Sequence, residues 1–555
     1  MNPLADLDID DIAAHGLVRA FLREVSVPDA QARLTGSWLV LSLPRTGLAL
    51  RLQVSRASVT DNHRFTGPAQ IAENGGWRIA TSADVAEAIA HELRLLTGTA
   101  NDEFAAQARE SRLGMQRAHA AVLSRRDLTA GSAVERYLQS EQSLWAGHRW
   151  HPTPKSRDED ARTWSCYAPE AAPRIALRWL SAPAERVIGE DSRDGARTTA
   201  EALAGAPEAD AGRIALPVHP WQWERLRETE EIRRLLRRGD LADLGTTAAD
   251  HHPTSSVRTL LGPRHFLKLS LGVRITNCVR THAPYELTGA IDIANTVAPA
   301  LAELEQRHPH VRLMRETGWR SARFNDADLV SPLGVIVREG WQGILRPGST
   351  PLLAAALAAE FPGAPAQLAS IVDPADAMTW WDRYLRLLVP FVVDSYADHG
   401  IVCEPHLQNV VVGVDDAGMP VQLFLRDLEG VKLLPRWRDS LLDVDALSAT
   451  RLSYDERTGW RRTAYCLFVN NISEFVAALA DLGCREEELW ERVRDVLSDL
   501  RRGANRHELD ALLSGVPAPA KSNLLVRWNR RPDRDAGYVA VPLPLSDASR
   551  IALSA

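Results

Sequence analysis

The stretch Asp398-His399-Gly400-Ile401-Val402-Cys403-Glu404-Pro405-His406-Leu407-Gln408-Asn409 opens a segment that closes on Arg426-Asp427-Leu428-Glu429-Gly430. Two apolar runs lie between these polar ends. Val410, Val411, Val412 and Val414 mark the first, and Val421, Leu423, Phe424 and Leu425 the second. Asp415-Asp416-Ala417-Gly418 separates them with turn residues, so the runs are expected to pair as a β-hairpin. Such a hairpin brings Asn409 beside Asp427, although they are distant in the chain.

An Asn before a hairpin and an Asp after it is the pattern by which protein kinases hold magnesium on a nucleoside triphosphate. Magnesium takes a few protein oxygens plus phosphate oxygens, which an amide and a carboxylate can supply. Most Asn–Asp pairs at this spacing are polar ends of a surface hairpin. Here Glu404, His406, Gln408, Asn409, Asp427 and Glu429 crowd one hairpin, and that density favours a binding site.

At 555 residues the chain exceeds a single core, and about two to four domains are expected. An apolar fraction of 45% and a charged fraction of 25% are those of a globular protein. A formal charge of -7 argues against a dedicated nucleic-acid surface. Cys166, Cys278, Cys403, Cys466 and Cys484 show no CxxC pairing, so neither a zinc nor an iron–sulfur framework is expected. The acidic start, Met1 to Asp11, has no secretory apolar core, and no apolar run approaches the roughly 20 residues of a membrane span. The expectation is a cytoplasmic protein without membrane or nucleic-acid partners.

Residues 12–24 read as a short amphipathic helix, residues 37–54 as two strands, and residues 82–126 and 133–145 as helices. No motif gathers titratable groups in residues 1–145, which read as scaffold covering a cleft. Chemistry begins at Gly147-His148-Arg149-Trp150-His151-Pro152-Thr153-Pro154-Lys155-Ser156-Arg157. Prolines hold this loop extended, and its cations suit a phosphate or polycarboxylate as readily as they suit water. Further on, His219 ends a strand and could face a ligand.

A second cluster lies at Thr254-Ser255-Ser256-Val257-Arg258-Thr259-Leu260, read as a strand, followed after Gly262-Pro263 by Phe266-Leu267-Lys268-Leu269-Ser270-Leu271. Alternation on these strands would put Ser256 and Arg258 on one face, and Lys268 and Ser270 on another. With Arg274 and Arg280 nearby, hydroxyls and cations interleave as a triphosphate site requires. No GxxxxGK[ST] or dinucleotide fingerprint occurs, so a nucleotide would be held by side chains on a sheet. Residues 375–399 read as a long helix with a kink or break at Pro390. Lys521 to Arg527 reads as a strand returning a Lys and an Arg to the cleft.

Taken together and in order, Ser256-Val257-Arg258-Thr259, Lys268, Arg280, the Glu404–Asn409 run and Arg426–Gly430 resemble the IucA/IucC family. These are siderophore synthetases that act independently of nonribosomal peptide synthetases. The resemblance reaches back to His148–Arg157 and His219–Gln222 and forward to Lys521–Arg527. It implies an α+β, three-part cupped hand: a thumb over residues 1–145, fingers carrying an ATP-phosphate-binding sheet over 146–350, and a kinase-like palm over 351–555. It further implies an ATP- and Mg2+-dependent ligase of iron acquisition, with a homodimeric state common among relatives. Such an enzyme adenylates a citrate-like carboxylate and joins it to a polyamine, amino acid or hydroxylamine-type nucleophile as an amide or ester, releasing AMP and pyrophosphate.

By the same resemblance, Ser256, Arg258, Thr259, Lys268 and Arg280 contact the ATP phosphates. His406, Gln408 and Asn409 sit at the nucleotide and reacting centre, and Asp427, Asn409 and Glu404 place Mg2+. His151, Lys155 and Arg157 add phosphate or carboxylate contacts. Lys268, Arg280 and His406 form the catalytic group. Relatives tend to read Gly-His-Pro-x-His-Pro in the first loop, where this chain has Arg149. Their C-terminal region is often described as ferric-reductase-like, an activity not expected here without clustered cysteines. The hairpin alone would also suit a kinase-like small-molecule phosphotransferase, which would release ADP instead.

Overall fold

The computed structural model describes residues 7–125, 129–157, 161–275, 278–360, 366–435, 450–502, 506–531 and 535–546. Thr276 and Asn277 lie outside them, as do Asp158, Glu159 and Asp160.

The N-terminal unit begins with helix Ile9–Phe21, whose first turn is fixed by a capping box between Asp8 and Asp11. Five antiparallel strands between Ala32 and Ile79 follow as a meander in chain order. Helix Ser82–Thr97 starts at a Thr81–Asp84 capping box and stops at Gly98 in the left-handed conformation. Leu17, Phe21, Leu50, Leu52, Ile89 and Leu93 share one core with Leu524 and Trp528 from the far end of the chain. Asn101 Nδ2 donates to the carbonyl of Trp528 at 3.0 Å, and Glu24 accepts from the amides of Leu524 and Leu525 at 2.8 and 2.9 Å. The C-terminal helix Asn523–Trp528 therefore belongs to the first unit's core. It also replaces the strand read over Lys521–Arg527, because pairing ends with Ala518–Lys521.

The middle of the chain carries a six-stranded antiparallel sheet. Its order is His252–Pro253, Thr259–Leu261, Phe266–Leu269, Val335–Arg338, Glu316–Ala322 and Val187–Asp191. Thr259 faces Lys268 across the hairpin. Residues 255–258, read as strand, instead form a tight turn in which the amide and the hydroxyl of Thr254 both donate to the Thr259 carbonyl, at 2.9 and 2.8 Å. Ser256 and Arg258 are thus placed by turn geometry rather than by strand alternation. Leu271–Ile275 does not prolong the preceding strand but pairs with Cys278–Arg280 in its own ribbon.

The last unit is organised by the hairpin. Val410–Val414 and Pro420–Leu425 pair antiparallel, flanked by Thr350–Leu353 and by Val311–Leu313, the latter parallel. All five residues of Val410–Val414 are buried, as expected of β-branched side chains packed on both faces. At the turn, Gly418 has φ +76°, and a Cβ there would meet the Ile371 carbonyl oxygen at 2.0 Å. Helix Ala133–Glu141 packs onto this sheet, its Ser140 hydroxyl accepting from the Leu353 amide at 2.9 Å. A helix from residues 1–145 thus packs on the sheet of residues 351–555.

Helix Ala377–Ala397 runs unbroken through Pro390, so of the kink or break expected there the break does not occur. Buried Trp380, Trp381, Tyr384 and Phe391 anchor it, and that packing outweighs the one helical hydrogen bond proline cannot make. Behind it, Glu456–Ala480 is one helical run with a π-helical middle at Tyr465–Ile472. By length and composition it could cross a membrane, which the sequence reading did not foresee, but 89% of its apolar window is buried inside the protein. It is a core helix.

Candidate active site

A cavity of about 540 Å3 lies where the three units meet. Its lining includes every expected site residue: His151, Lys155, Arg157, Ser256, Arg258, Thr259, Lys268, Arg280, Glu404, His406, Gln408, Asn409 and Asp427.

The hairpin register explains the palm side. The Arg426 amide donates to the Asn409 carbonyl at 3.0 Å, closing the ladder one step beyond the Val410–Leu425 pair. Asp427 then leaves the ladder with φ 76° and ψ 53°. A non-glycine residue in this region is strained, and such strain collects where a side chain must be aimed. Val257 in the opposing turn is also left-handed, with φ 69°. Asn409 Nδ2 donates to the Glu404 carbonyl at 3.3 Å, which turns its amide oxygen outward as an acceptor.

From the middle sheet, buried Lys268 reaches across to pair with both Asp427 and Glu429. Arg338 Nη2 lies 3.1 Å from the same Asp427 oxygen and 2.9 Å from Glu316. Burial alone would raise Asp427, but the Lys268 and Arg338 charges hold it well below the usual carboxylate range. Burial likewise disfavours charged Lys268, and Asp427 and Glu429 more than offset it, raising its pKa. Asp427 is therefore a fixed anion and Lys268 a fixed cation.

The turn cations are held from behind. Arg258 Nη1 donates to the Arg280 carbonyl at 3.0 Å and to His282 Nδ1 at 3.2 Å. The other ring nitrogen, Nε2, donates to the Lys268 carbonyl at 3.0 Å. Burial pushes this imidazole down to about 3, so it is neutral and serves as donor on one side and acceptor on the other. His282, Glu286 and Glu429 also bring one potential ligand atom each to within 4.8 Å of one another. Both His282 nitrogens and Glu429 are already engaged by Arg258, the Lys268 backbone and the Lys268 ammonium, so the cluster reads as support for the cations.

Arg426 forms the other support. Its Nη1 is 2.5 Å and its Nη2 3.2 Å from the buried Glu141 carboxylate, and it donates to the Gln408 carbonyl at 2.7 Å. Glu141 also accepts from the Ser255 amide at 3.0 Å. One buried ion pair thus ties the hairpin end to the phosphate-side turn. Gln408 adds a side-chain bond to the Ser255 hydroxyl at 3.3 Å.

His406 is half-buried, and burial pushes its pKa below the ordinary value despite Glu404 and Asp427 nearby. Its ring has no hydrogen-bond partner among the described residues. Glu404 is 3.3 Å from Arg462. In the first loop Lys155 pairs with buried Glu170, which also lies 3.8 Å from Arg157. His151 Nδ1 accepts from the Thr153 amide at 3.1 Å. His219 does not line the cavity: it is fully buried and its Nδ1 caps helix Pro220–Leu226 by accepting from the Trp221 amide at 3.2 Å.

Sequence reasoning missed Arg338, Glu316, Glu141, Glu170 and His282. Each is a buried charge or ring whose only signal is a lone polar residue inside or ending an apolar run.

The sequence profile described as the IucA / IucC family matches residues 136–359, and one described as ferric iron reductase FhuF-like transporter matches residues 378–536. In that second region burial pushes the Cys403 and Cys466 thiols up, Cys403 to about 12, which favours their protonated form. The chain is 29% identical to the L-2,3-diaminopropanoate–citrate ligase of Staphylococcus aureus, over 74% of this chain and 75% of that protein. It is also 29% identical to the rhizobactin siderophore biosynthesis protein RhbC of Rhizobium meliloti, over 92% and 93%. Among solved structures, ATP-bound aerobactin synthetase IucA from Klebsiella pneumoniae superimposes with a TM-score of 0.86 at 27% identity, covering 97% of this chain and all of that one.

Proposed function

We infer that this chain is a member of the IucA/IucC family and an ATP-dependent siderophore synthetase. It condenses a citrate-like carboxylate with an amine or hydroxyl nucleophile. The observation that carries this reading is the pairing of a fixed cationic wall, Arg258, Lys268 and Arg280, with the Asn409–Asp427 hairpin end across one cavity.

In the first step a carboxylate oxygen attacks the α-phosphorus of ATP. The bond from that phosphorus to the oxygen bridging to the β-phosphate breaks, and pyrophosphate leaves with the electron pair. Nucleophile and electrophile are both anionic, so pre-aimed cations contribute most of the barrier reduction. Arg258, Lys268 and Arg280 are assigned to the phosphates, with the Ser256 and Thr259 hydroxyls beside them. His406, neutral and free of competing hydrogen bonds, is assigned to donate to an α-phosphate oxygen as charge grows there. In the second step the amine nitrogen attacks the acyl carbon, AMP departs, and the nitrogen loses a proton to give the amide.

The donor set fits Mg2+. Asn409 presents its amide oxygen and Asp427 a permanently ionised carboxylate, both hard oxygens. Those two residues would hold the ion, with Glu404 contributing from its pair with Arg462. When bound, Mg2+ neutralises phosphate charge that the arginines alone do not cover.

The test is acid-dependent pyrophosphate release across a panel of carboxylic acids, with hydroxylamine trapping the activated acyl group. Citrate or a citrate monoamide should give a hydroxamate, and no hydroxamate with any acid would refute the reading.

A further inference from the structure

The cavity continues past the nucleotide end to a wall built by the N-terminal unit, where Arg19 of helix Ile9–Phe21 lines it. Arg19 is 6% exposed, and its guanidinium lies 4.9 Å from the centroid of the Phe65 ring. Among the described residues it forms no ion pair and no hydrogen bond, and its buried Nε has no partner. One turn further on, buried Arg23 also lacks an ion pair among the described residues, but it lies over the Trp150 ring and does not line the cavity, whereas the arginines of the facing segments are paired. Arg149 lies 3.0 Å from Glu360 and 3.8 Å from Glu474, and Arg64 lies 2.5 Å from Asp481. Every nearby carboxylate is thus committed to another arginine.

Burial, and then the like charge of Arg149, push the Arg19 guanidinium down to about 9. A buried cation without a partner is costly, and natural sites keep one where a ligand completes the pair. Arg258, Lys268 and Arg280 enter the cavity from the middle sheet and its ribbon, whereas Arg19 enters it from helix Ile9–Phe21, so the cavity carries cations on two different walls. ATP and the activated acid occupy the first, which leaves the second to the other substrate.

We propose that Arg19, with Arg149 beside it, receives the carboxylate of the amine substrate, so that this synthetase joins its acid to an amino acid in preference to a polyamine. A guanidinium fork binds a carboxylate through two parallel N–H···O bonds, and Phe65 holds its plane. Glu360 and Glu474 keep the pocket from being uniformly cationic, which suits a zwitterion.

The assignment rests on the amide-forming reading above, and one titration separates the two. L-lysine, L-ornithine and L-2,3-diaminopropanoate are titrated calorimetrically into the full chain against 1,5-diaminopentane, 1,4-diaminobutane and ethylenediamine, pairs that differ only by the carboxylate. At least one amino acid should bind about 10- to 100-fold tighter than its decarboxylated counterpart, the value of a charge-assisted pair. Arg19→Met should abolish that preference and Arg19→Lys should retain part of it. Equal binding within all pairs, or a preference that survives Arg19→Met, overturns the assignment. The wild-type pairs decide even if Arg19→Met does not fold. Pyrophosphate release without any amine reports on the synthetase reading alone.

Discussion

Lys268 on the middle sheet and Asp427 at the end of the palm hairpin form an ion pair across 159 positions of sequence. The pair couples the two walls of the cavity and fixes both charges before any ligand arrives. Lys268→Met should leave Asp427 paired with Arg338 and should lower acid-dependent pyrophosphate release roughly 100- to 1000-fold, the range for removing one preorganised donor. Rates within twofold of wild type would show that Lys268 is only a structural tie.

His406 should separate binding from chemistry. His406→Ala is expected to lower kcat for adenylate formation by about 100-fold or more while changing the KM for ATP little, because its assigned contact strengthens only as charge develops. Steady-state kinetics at saturating citrate would check this, and a rise in KM with kcat intact would reassign His406 to nucleotide binding.

Glu141 anchors Arg426 from a helix outside the hairpin. Glu141→Ala strands a buried guanidinium and should cost about 3–5 kcal/mol of stability, the usual penalty for removing half of a buried pair. Urea unfolding followed by fluorescence measures it, and a loss under about 1 kcal/mol would mean that Arg426 finds another partner.

Stability should fall in mild acid. His15, His219 and His282 are at most 1% exposed, and burial pushes each down to about 3 from 6.5. The folded chain keeps these rings neutral while the unfolded chain protonates them. Their contribution is complete above pH 6.5 and is lost as pH falls toward 3, on the order of 1.4 kcal/mol per ring per pH unit within that window. The thermal midpoint should decline steadily below pH 6.5, and a flat midpoint between pH 6.5 and 5 would contradict the neutral assignments.

The hairpin was legible because Val410–Val414 and Pro420–Leu425 are β-rich runs around a turn that only glycine closes. Its polar ends were legible because strand pairing dictates which residues meet. The Ser255–Arg258 segment misreads as strand: its hydroxyl and β-branched residues have strand propensity, but one carbonyl, Thr259, collects two bonds from Thr254 and closes a turn. Arg338 and Glu141 escape a linear reading because their partners, Asp427 and Arg426, lie 89 and 285 positions away. The π-helical Tyr465–Ile472 segment, which contributes Tyr465, Cys466 and Asn470 to the cavity, has no local sequence signature either. The N-terminal unit read as scaffold because Arg19 is one of two arginines on an amphipathic helix with no motif around it, and only the fold brings it to the cavity.

The most direct test is the identity of the nucleotide product. With ATP, Mg2+, citrate and an amine, the chain should form AMP and pyrophosphate in equal amounts, dependent on the acid. Formation of ADP with a phosphorylated acid or amine would contradict the synthetase and support a phosphotransferase built on the same hairpin.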